Sequence, residues 1–401
     1  MEPHFVSVVI SVCVLLFAAK LMAELFVRLK LPIVLGELIA GMIVGPFAIG
    51  SLIVIQGEAL LQLNQEVKIL GEIGAIVILF MAGLEMTPRE FIKGGKASFT
   101  VGTLGVIVPF FVGFFVFQLF GFHAFQAMLV ATALTATSIA ISVQVLSEFG
   151  KLKTPEARLI IGAAVVDDIL AIAVLSIVTS IDPAVAEVDV IEISFTIFKV
   201  LGFFAAMAIA AIFIIPRVVG SRLWKAGGAI EGVVTAAFFG AAGVAASIGL
   251  SPILGSFVVG MALASTKVFE RVEHYISKLG LIFAPLFFAI IGAQVDFRGI
   301  NGEILIIAAV IIGVAVTTKL IGCGLPALPF LKNKAQSKRV GIAMISRGEV
   351  GLIVAGIGLS SGVLTSNVYS TIVIMVAITT IITPIWLKME YRKELQQNPQ
   401  T

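Results

Sequence analysis

The sequence predicts an all-α membrane protein with about thirteen transmembrane helices. Three observations support this fold class. First, 59% of the 401 residues are hydrophobic and only 13% are charged, whereas about 25% of the residues in a soluble domain are charged. Second, the mean hydropathy is +1.13, and apolar stretches of about 20 residues, long enough to cross a bilayer as helices, recur along the chain. Third, 39 glycines are present, which fits closely packed membrane helices better than outer-membrane strands.

Charged residues and Gly/Pro breaks delimit the predicted helices. The spans are approximately 5–27, 31–48, 67–86, 97–120, 124–147, 156–180, 190–216, 227–248, 251–266, 276–295, 303–328, 339–360 and 366–388. Between the eighth and ninth spans, the segment from Ser247 to Pro252 is expected to form either a turn or a kink. We expect no soluble regulatory domain, because a short polar tail follows Lys388 and no Gly-rich dinucleotide-binding fingerprint is present.

Basic residues cluster in every second connection between the spans. They are Arg28 and Lys30; Arg89, Lys93 and Lys96; Lys151, Lys153 and Arg158; Arg217, Arg222 and Lys225; Lys267, Arg271 and Lys278; Lys332, Lys334, Lys338 and Arg339; and Lys388, Arg392 and Lys393. The other connections are neutral or acidic. The positive-inside rule therefore predicts an odd number of spans in a cell membrane, with the N-terminus outside and the C-terminus in the cytoplasm. The net charge of +3 is too small to indicate a nucleic-acid partner.

Two adjacent acids lie in the middle of the sixth span. Asp167 and Asp168 are flanked by apolar residues on both sides. A charged side chain at such depth costs about 2.5–3.5 kcal/mol and usually marks an ion or proton path. Because neighbouring helix residues diverge by about 100°, one carboxylate can face a partner while the other faces a cavity. A carboxylate that coordinates a cation cannot also hold a proton, so the pair predicts a site for which cations and protons compete. The alternative is a helix break that exposes both acids to water.

Three further charges lie within predicted spans. Lys319, in the eleventh span, is the favoured counter-charge of the acid pair. Alternatively, it could snorkel to the membrane interface if the helix ended near Gly322 and Gly324. Arg347 and Glu349 lie in the twelfth span. Their opposite charges predict either a compensated structural pair or a pair that stabilises a helix break.

Two spans have sequences typical of discontinuous helices. The fifth contains the hydroxyls of Thr135, Thr137 and Ser138, and the twelfth is interrupted from Ser346 to Gly351. Hydroxyl groups can satisfy backbone groups that a break leaves unpaired, or they can ligate a cation. Each interrupted span is the middle one of a trio, and the two trios begin on opposite sides of the membrane. Inverted repeats with broken helices that cross near the midplane are a transporter arrangement, with the binding site beside the breaks.

Other function classes fit these residues less well. A cation channel needs a continuous polar lining, whereas the charges here are separated by long apolar runs. An intramembrane protease with two aspartates would place them on separate helices facing each other. A membrane protein without transport activity, such as a receptor, is the remaining alternative. We expect no enzyme activity and no cofactor, and the two distant cysteines, Cys13 and Cys323, form no disulfide framework or metal-ligand cluster that can be argued from sequence.

Several motifs together carry a family resemblance. They are Asp167-Asp168, Thr135 to Ser138, Lys319 followed by Gly322 to Pro326, Ser346 to Glu349, Leu31 to Glu37, Gly41 to Pro46, and Leu79 to Glu85. With these motifs the chain resembles the monovalent cation:proton antiporter-2 family over nearly its whole length. Within that family it is most similar to the bacterial and archaeal sodium/proton antiporters of the NapA type, which implies a prokaryotic or archaeal cell membrane.

The resemblance implies an organisation and a mechanism. It implies a core domain, approximately 97–180 and 303–388, and a dimerisation domain, approximately 5–86 and 190–295, which work in a homodimer by elevator-like alternating access. It implies that Asp168 is the main site for Na+ and protons, and that Asp167 pairs with Lys319 when Na+ is absent.

Paired aspartates in this family imply electrogenic exchange of Na+ (or Li+) for a larger number of protons. Potassium-coupled relatives often have Gln-Asp instead. The expected function is therefore secondary active sodium/proton antiport, with potassium/proton antiport as the alternative. The expected partners are membrane lipids and a second copy of the chain, and no soluble partner is evident.

Overall fold

The computed structural model describes residues 3–52, 54–55, 58–59, 61–180, 190–221, 223–296 and 302–397. Within these residues the secondary structure is almost entirely helical. The helices are α1 (Pro3–Arg28), α2 (Ile33–Val44), α3 (Ile49–Leu52), α4 (Gln65–Leu84), α5 (Pro88–Leu119), α6 (Ala124–Thr135), α7 (Ile139–Glu148), α8 (Pro155–Ser180), α9 (Val190–Val219), α10 (Ala229–Ser247), α11 (Pro252–Leu263), α12 (Phe269–Ala293), α13 (Gly302–Lys319), α14 (Leu325–Leu331), α15 (Lys334–Ala343), α16 (Glu349–Ser360) and α17 (Ser366–Gln397). A π-helical turn, Leu320–Gly324, joins α13 to α14, and a pair of two-residue strands, β1 (Val54–Ile55) and β2 (Glu58–Ala59), lies between α3 and α4.

The predicted all-α membrane fold is confirmed. In the part of the chain that the structure describes, ten helical segments are long and apolar enough to cross a membrane, and shorter apolar helices accompany them. The fifth predicted span consists of α6 and α7, and the twelfth of α15 and α16, so both expected breaks are present. The eighth and ninth spans are separated by a turn rather than a kink, because Gly249 has φ +81° and Pro252 starts a new helix.

Several helices extend beyond the spans that hydropathy predicts. The helix α5 begins at Pro88, whereas the sequence analysis placed the start of this span near residue 97. Thr87 and Glu90 form a capping box, and Pro88 occupies the first helical turn. These signals start a helix in the polar region outside the hydrocarbon, where water satisfies the exposed side chains, so hydropathy alone marks only the apolar part of the helix.

The helices pack in two sets, defined here by their contacts. In the first set, α2 and α4 pack against α12, α11 packs against α4, α9 and α10, and α1 packs against α2 and α12. In the second set, α5 packs against α6 and α8, α6 against α16, and α13 against α17, with α7, α14 and α15 among them. The roles of the two sets in dimerisation and in movement stay predictions.

Close approach in the first set depends on facing glycines. A Cβ on Gly83 of α4 would collide with the Phe257 carbonyl of α11, and a Cβ on Gly260 of α11 would collide with the Phe80 carbonyl of α4. Such small residues let membrane helices approach to backbone contact, where dispersion forces hold them together.

One face of the molecule collects the predicted basic connections, and we call it the basic face. Contacts at this face join the end of α1 to α17, the end of α4 to the α7–α8 connection, and the start of α8 to α15. These are the helix ends at which the sequence places its lysines and arginines. Which side of the membrane this face occupies stays a prediction.

Candidate functional site

Two broken helices meet inside the second set. Residues 136–138 separate α6 from α7, and residues 344–348 separate α15 from α16. The Ser138 N–H donates to the Ser346 carbonyl at 2.9 Å, and the Ser346 hydroxyl donates to the Ser138 carbonyl at 2.9 Å. This reciprocal pair satisfies backbone groups that would otherwise be unpaired in an apolar interior. The two breaks therefore support each other at one point.

The hydroxyls predicted at the first break have different roles. Thr135 Oγ1 donates to the Thr132 carbonyl at 2.7 Å, and so satisfies the helix end. Thr137 Oγ1 lies 3.5 Å from the Met344 carbonyl. Ser138 Oγ is buried and has no hydrogen-bond partner among the described residues. Of the three hydroxyls, Ser138 Oγ is therefore the one that no described protein group occupies, and a role of these hydroxyls in ion binding stays a prediction.

An acid and a lysine form a buried ion pair beside the first break. Lys319 Nζ lies 2.6 Å from Asp167 Oδ1, and both side chains are fully buried. Asp167 Oδ2 accepts a hydrogen bond from the Thr137 N–H at 3.0 Å. Asp167 thus uses both carboxylate oxygens, one on a lysine and one on the backbone of the break. Asp168, the next residue on α8, is 5% exposed, so a second carboxylate is buried beside this pair.

A glycine on α5 makes room for the ion pair, and the sequence analysis did not identify it. A Cβ on Gly105 would lie 2.6 Å from Cys323 Sγ, 3.5 Å from Asp167 Oδ1 and 3.6 Å from Lys319 Nζ. Gly102, three residues earlier, lies on the same helix face and contacts α8 closely. The Gly-x-x-Gly spacing was the available sequence signal, although it does not reveal which helix lies opposite.

Arg347 lies at the second break and is fully buried. It donates to the carbonyls of Met344 and Ile345 at 3.0 Å and to that of Ala315 at 3.4 Å. The first two carbonyls follow the C-terminal end of α15, where a helix carries partial negative charge, so the guanidinium neutralises this end. Arg347 therefore stabilises a helix break, one of the two predicted alternatives. The side chain of Glu349, its expected partner, lies outside the described residues.

A cavity of about 590 Å³ separates the two helix sets on the side away from the basic face. Its walls come from α4, α12 and the α10–α11 turn in the first set, and from α8, α16 and α17 in the second. Glu72, Gln294 and Tyr369 are among its polar residues, and Ile172 of α8 also lines it. Asp168 lies one helical turn before Ile172 on the same face of α8. The cavity therefore reaches α8 one helical turn beyond Asp168.

Comparison with known proteins assigns this arrangement to a family. A family model described as "Sodium/hydrogen exchanger, transmembrane" matches residues 12–391. The chain belongs to this exchanger family. The predicted resemblance to cation:proton antiporters is therefore confirmed.

Individual relatives agree with the family assignment. The exchanger is 36% identical to the Na(+)/H(+)-K(+) antiporter GerN of Bacillus cereus, over 95% of each chain. It is 35% identical to the high-affinity Na(+)/H(+) antiporter NhaS3 of Synechocystis, over 95% of this chain and 89% of the relative. A solved structure of the sodium proton antiporter MjNhaP1 from Methanocaldococcus jannaschii matches with a TM-score of 0.68 at 16% identity, over 98% of this chain and 99% of that one. The structural match shows a shared fold.

The exchanger contains a second buried ion pair that sequence analysis missed. Arg339 of α15 lies 2.8 Å from Glu156 of α8, and neither side chain is more than 3% exposed. The guanidinium also lies 4.6 Å from the centre of the Tyr391 ring and 3.0 Å from Glu394. The sequence analysis counted Arg339 with the basic connections, whereas the structure buries it, because α8 and α17 cover this part of α15.

Proposed function

We propose that this chain is a secondary active sodium/proton antiporter, and that Asp167 and Asp168 form the site for which Na+ and protons compete. The observation that carries the proposal is the Lys319–Asp167 pair at 2.6 Å, with a second buried carboxylate on the next residue. A buried charge needs compensation. Here the negative charge of the two acids can be neutralised by the lysine, by a bound cation or by protons. A carboxylate oxygen that holds one of these partners cannot hold another at the same time.

The proposed cycle uses the chain's own groups at each step. In the proton-loaded state, the Lys319 ammonium neutralises Asp167, and Asp168 holds a proton. Asp168 then releases its proton to solvent and Na+ binds to its carboxylate. Asp167 turns from the lysine to the cation, and Lys319 gives its proton to solvent. On the other side of the membrane, protons return to Lys319 and Asp168 and Na+ leaves. One Na+ is thereby exchanged for two protons, which makes the cycle electrogenic.

Alternating access in this proposal comes from movement between the two helix sets. The second set holds both broken helices and both acids, so it would carry the ion as the core domain. The first set would remain in place and form the interface of a homodimer in the cell membrane. The cavity between the sets supports this division, since it separates their helices and is lined by Ile172, one helical turn beyond Asp168.

Proteoliposomes containing the purified chain test the proposal. Addition of Na+ or Li+ should drive proton movement in the wild type, and Asp168→Asn should abolish it. Glu24→Gln is the matched control, because Glu24 is a carboxylate on α1 with 61% side-chain exposure. Full sodium-driven proton movement in Asp168→Asn would overturn the assignment of the site.

Potassium/proton antiport is the second candidate, and one observation favours it. The relative GerN carries K+ as well as Na+ in its name, and carboxylate oxygens bind either ion. The same vesicles discriminate between the two functions: a response to K+ alone would select potassium/proton antiport. No response to any cation would instead favour a membrane protein without transport activity.

A further inference from the structure

The start of α2 is capped by a residue from another part of the chain. Pro32 occupies the N-cap position and provides no side-chain hydrogen bond. Instead, Glu148, the last residue of α7, accepts hydrogen bonds from the N–H groups of Ile33 at 3.0 Å and Val34 at 3.1 Å. The first N–H groups of a helix have no partner within it, and the helix dipole favours negative charge there. Glu148 thus supplies the cap that the local sequence of α2 lacks.

A second contact holds the same turn from the same direction. The side chain of Lys388 in α17 donates a hydrogen bond to the carbonyl of Lys30, which lies in the turn after α1 and has a positive φ of 55°. Both Glu148 and Lys388 belong to the second helix set, whereas Lys30, Ile33 and their neighbours belong to the first. The short connection between α1 and α2 therefore makes three hydrogen bonds to the second set. Lys388 donates one of them, and Glu148 accepts the other two.

These contacts and the large cavity lie at opposite faces of the same boundary. At the basic face, the two sets are joined by Glu148 and Lys388, and by a pair of the exposed Lys153 and the largely buried Glu85 at 3.5 Å. At the other face, the cavity of about 590 Å³ separates them. The two sets are thus in contact on one side, through these polar groups and through apolar packing of α7 against α4 and α2, and the cavity separates them on the other.

We propose that Glu148 is a positioning residue of the transport cycle, because its two hydrogen bonds to α2 clamp the basic face shut while the opposite face is open. The clamp breaks when the second set moves, and it forms again when that set returns. This inference rests on the proposed function in requiring that the two sets move relative to each other.

The position of Glu148 on α7 links the clamp to the ion site. The helix α7 has ten residues and therefore spans about 15 Å. Ser138 of the first break precedes its first residue, and Glu148 is its last. The backbone N–H of Thr137 contacts Asp167 just before this helix begins. A displacement of the break therefore moves the carboxylate at the other end of the same short, rigid element.

The chemistry of the clamp suits a contact that must open. Glu148 is partly exposed, so water can take over its hydrogen bonds when the contact breaks. In contrast, the buried Arg339–Glu156 pair joins two elements of the second set, so it need not separate when that set moves as a unit. The clamp is thus the reversible contact, and the buried pair the permanent one.

Hydrogen/deuterium exchange of the full chain in lipid nanodiscs tests the clamp directly. In Glu148→Ala, the amides of Ile33 and Val34 should exchange about tenfold faster than in the wild type, because they lose hydrogen bonds to a charged acceptor. Glu85→Gln, which removes the acid of the Lys153 pair at the same face, should leave the exchange of these two amides unchanged. Unchanged exchange in Glu148→Ala would overturn the clamp.

Transport measured from each side separates a positioning role from a structural one. In oriented proteoliposomes, Glu148→Ala should lower the apparent KM for Na+ at the basic face about tenfold relative to that at the opposite face, since loss of the clamp favours the state open at the basic face. A merely structural role would reduce the amount of active protein and leave the ratio of the two KM values unchanged. An unchanged ratio of the two KM values would overturn the proposal even if the amides of Ile33 and Val34 exchanged faster. If the wild type moved no protons on addition of Na+, the proposed function would fail instead, and the exchange experiment would still report on the Glu148 contact.

Discussion

Two buried ion pairs on one helix show how similar geometry can serve different purposes. In both, α8 provides the acid and a helix from the last quarter of the chain provides the cation. Asp167 and Lys319 are 2.6 Å apart with both side chains fully buried, and Glu156 and Arg339 are 2.8 Å apart with at most 3% exposure. Neither distance nor burial distinguishes them.

The cation and its neighbours make the difference. Lysine is a compact charge that can lose its proton in an apolar site, whereas arginine stays charged and binds through a rigid planar fork. Arg339 also lies against the Tyr391 ring and pairs with Glu394, so three partners hold it. Lys319 has Asp167 as its partner, and a second acid, Asp168, follows on the helix. Asp167 is therefore suited to exchange the lysine for another cation, whereas Glu156 is suited to keep the arginine as its partner.

Removing the acid of each pair should give the largest difference in stability between the two pairs. Glu156→Gln leaves a buried guanidinium that cannot become neutral and keeps Glu394 as its remaining acid. The cost should therefore lie near the lower end of the about 3–5 kcal/mol for a broken buried pair. Asp167→Asn should cost clearly less, because Lys319 can shed its proton once its partner is gone. Thermal unfolding of both variants in one detergent measures this difference, with Glu24→Gln as the reference for an exposed acid. Equal losses of stability would show that the two pairs are held in the same way.

Much of this comparison could be predicted from the sequence, because a membrane makes buried charges conspicuous. Asp167, Asp168 and Lys319 stand out within long apolar runs, and only ion or proton chemistry repays their cost. The broken helices were also predictable, since hydroxyls and glycines interrupt otherwise continuous spans. The need for charge compensation indicated Lys319 as the counter-charge of the acid pair, and the family resemblance implied that its partner is Asp167.

The rest depends on neighbours that are distant in sequence. Arg339 lies close to a basic connection, where sequence alone indicates exposure, and its burial follows from how α8 and α17 cover it. Glu148 caps a helix more than 100 residues away in sequence, and no local pattern identifies such a cap. The extension of α5 to Pro88 could have been predicted from its capping box, but hydropathy dominated the assignment of the boundary.

Crowding the lysine pair should have an intermediate effect. Gly105→Ala places a Cβ 2.6 Å from Cys323 Sγ and within 3.6 Å of both charged groups, and overpacking of this kind costs about 1–3 kcal/mol. Gly95→Ala on the same helix is the matched control, since nothing lies within 4 Å of its Cβ. It should leave stability unchanged or raise it slightly, because alanine favours a helix over glycine.

The source of the crowding can be checked with a second substitution. Cys323→Ala removes the sulfur that the new methyl group would strike, so the double variant should recover most of the lost thermal stability. If stability did not recover, the steric clash of the new methyl group would be with the Asp167–Lys319 pair rather than with the thiol.

Exchanging lysine and arginine between the two pairs should have the smallest effects. Each substitution should change one quantity only, either the apparent KM for Na+ or the unfolding temperature. In Lys319→Arg, the guanidinium stays charged and continues to compete with Na+ for Asp167, so the apparent KM for Na+ should rise about tenfold, or about 1.4 kcal/mol. The reverse change, Arg339→Lys, should leave this KM unaltered and lower only the unfolding temperature, because it loses the planar contact with Tyr391 without touching the ion site. Sodium titrations of proton movement in proteoliposomes compare the two. If Arg339→Lys raised the KM as much as Lys319→Arg, the arginine pair would also take part in ion exchange, and the distinction between an exchangeable and a permanent pair would be lost.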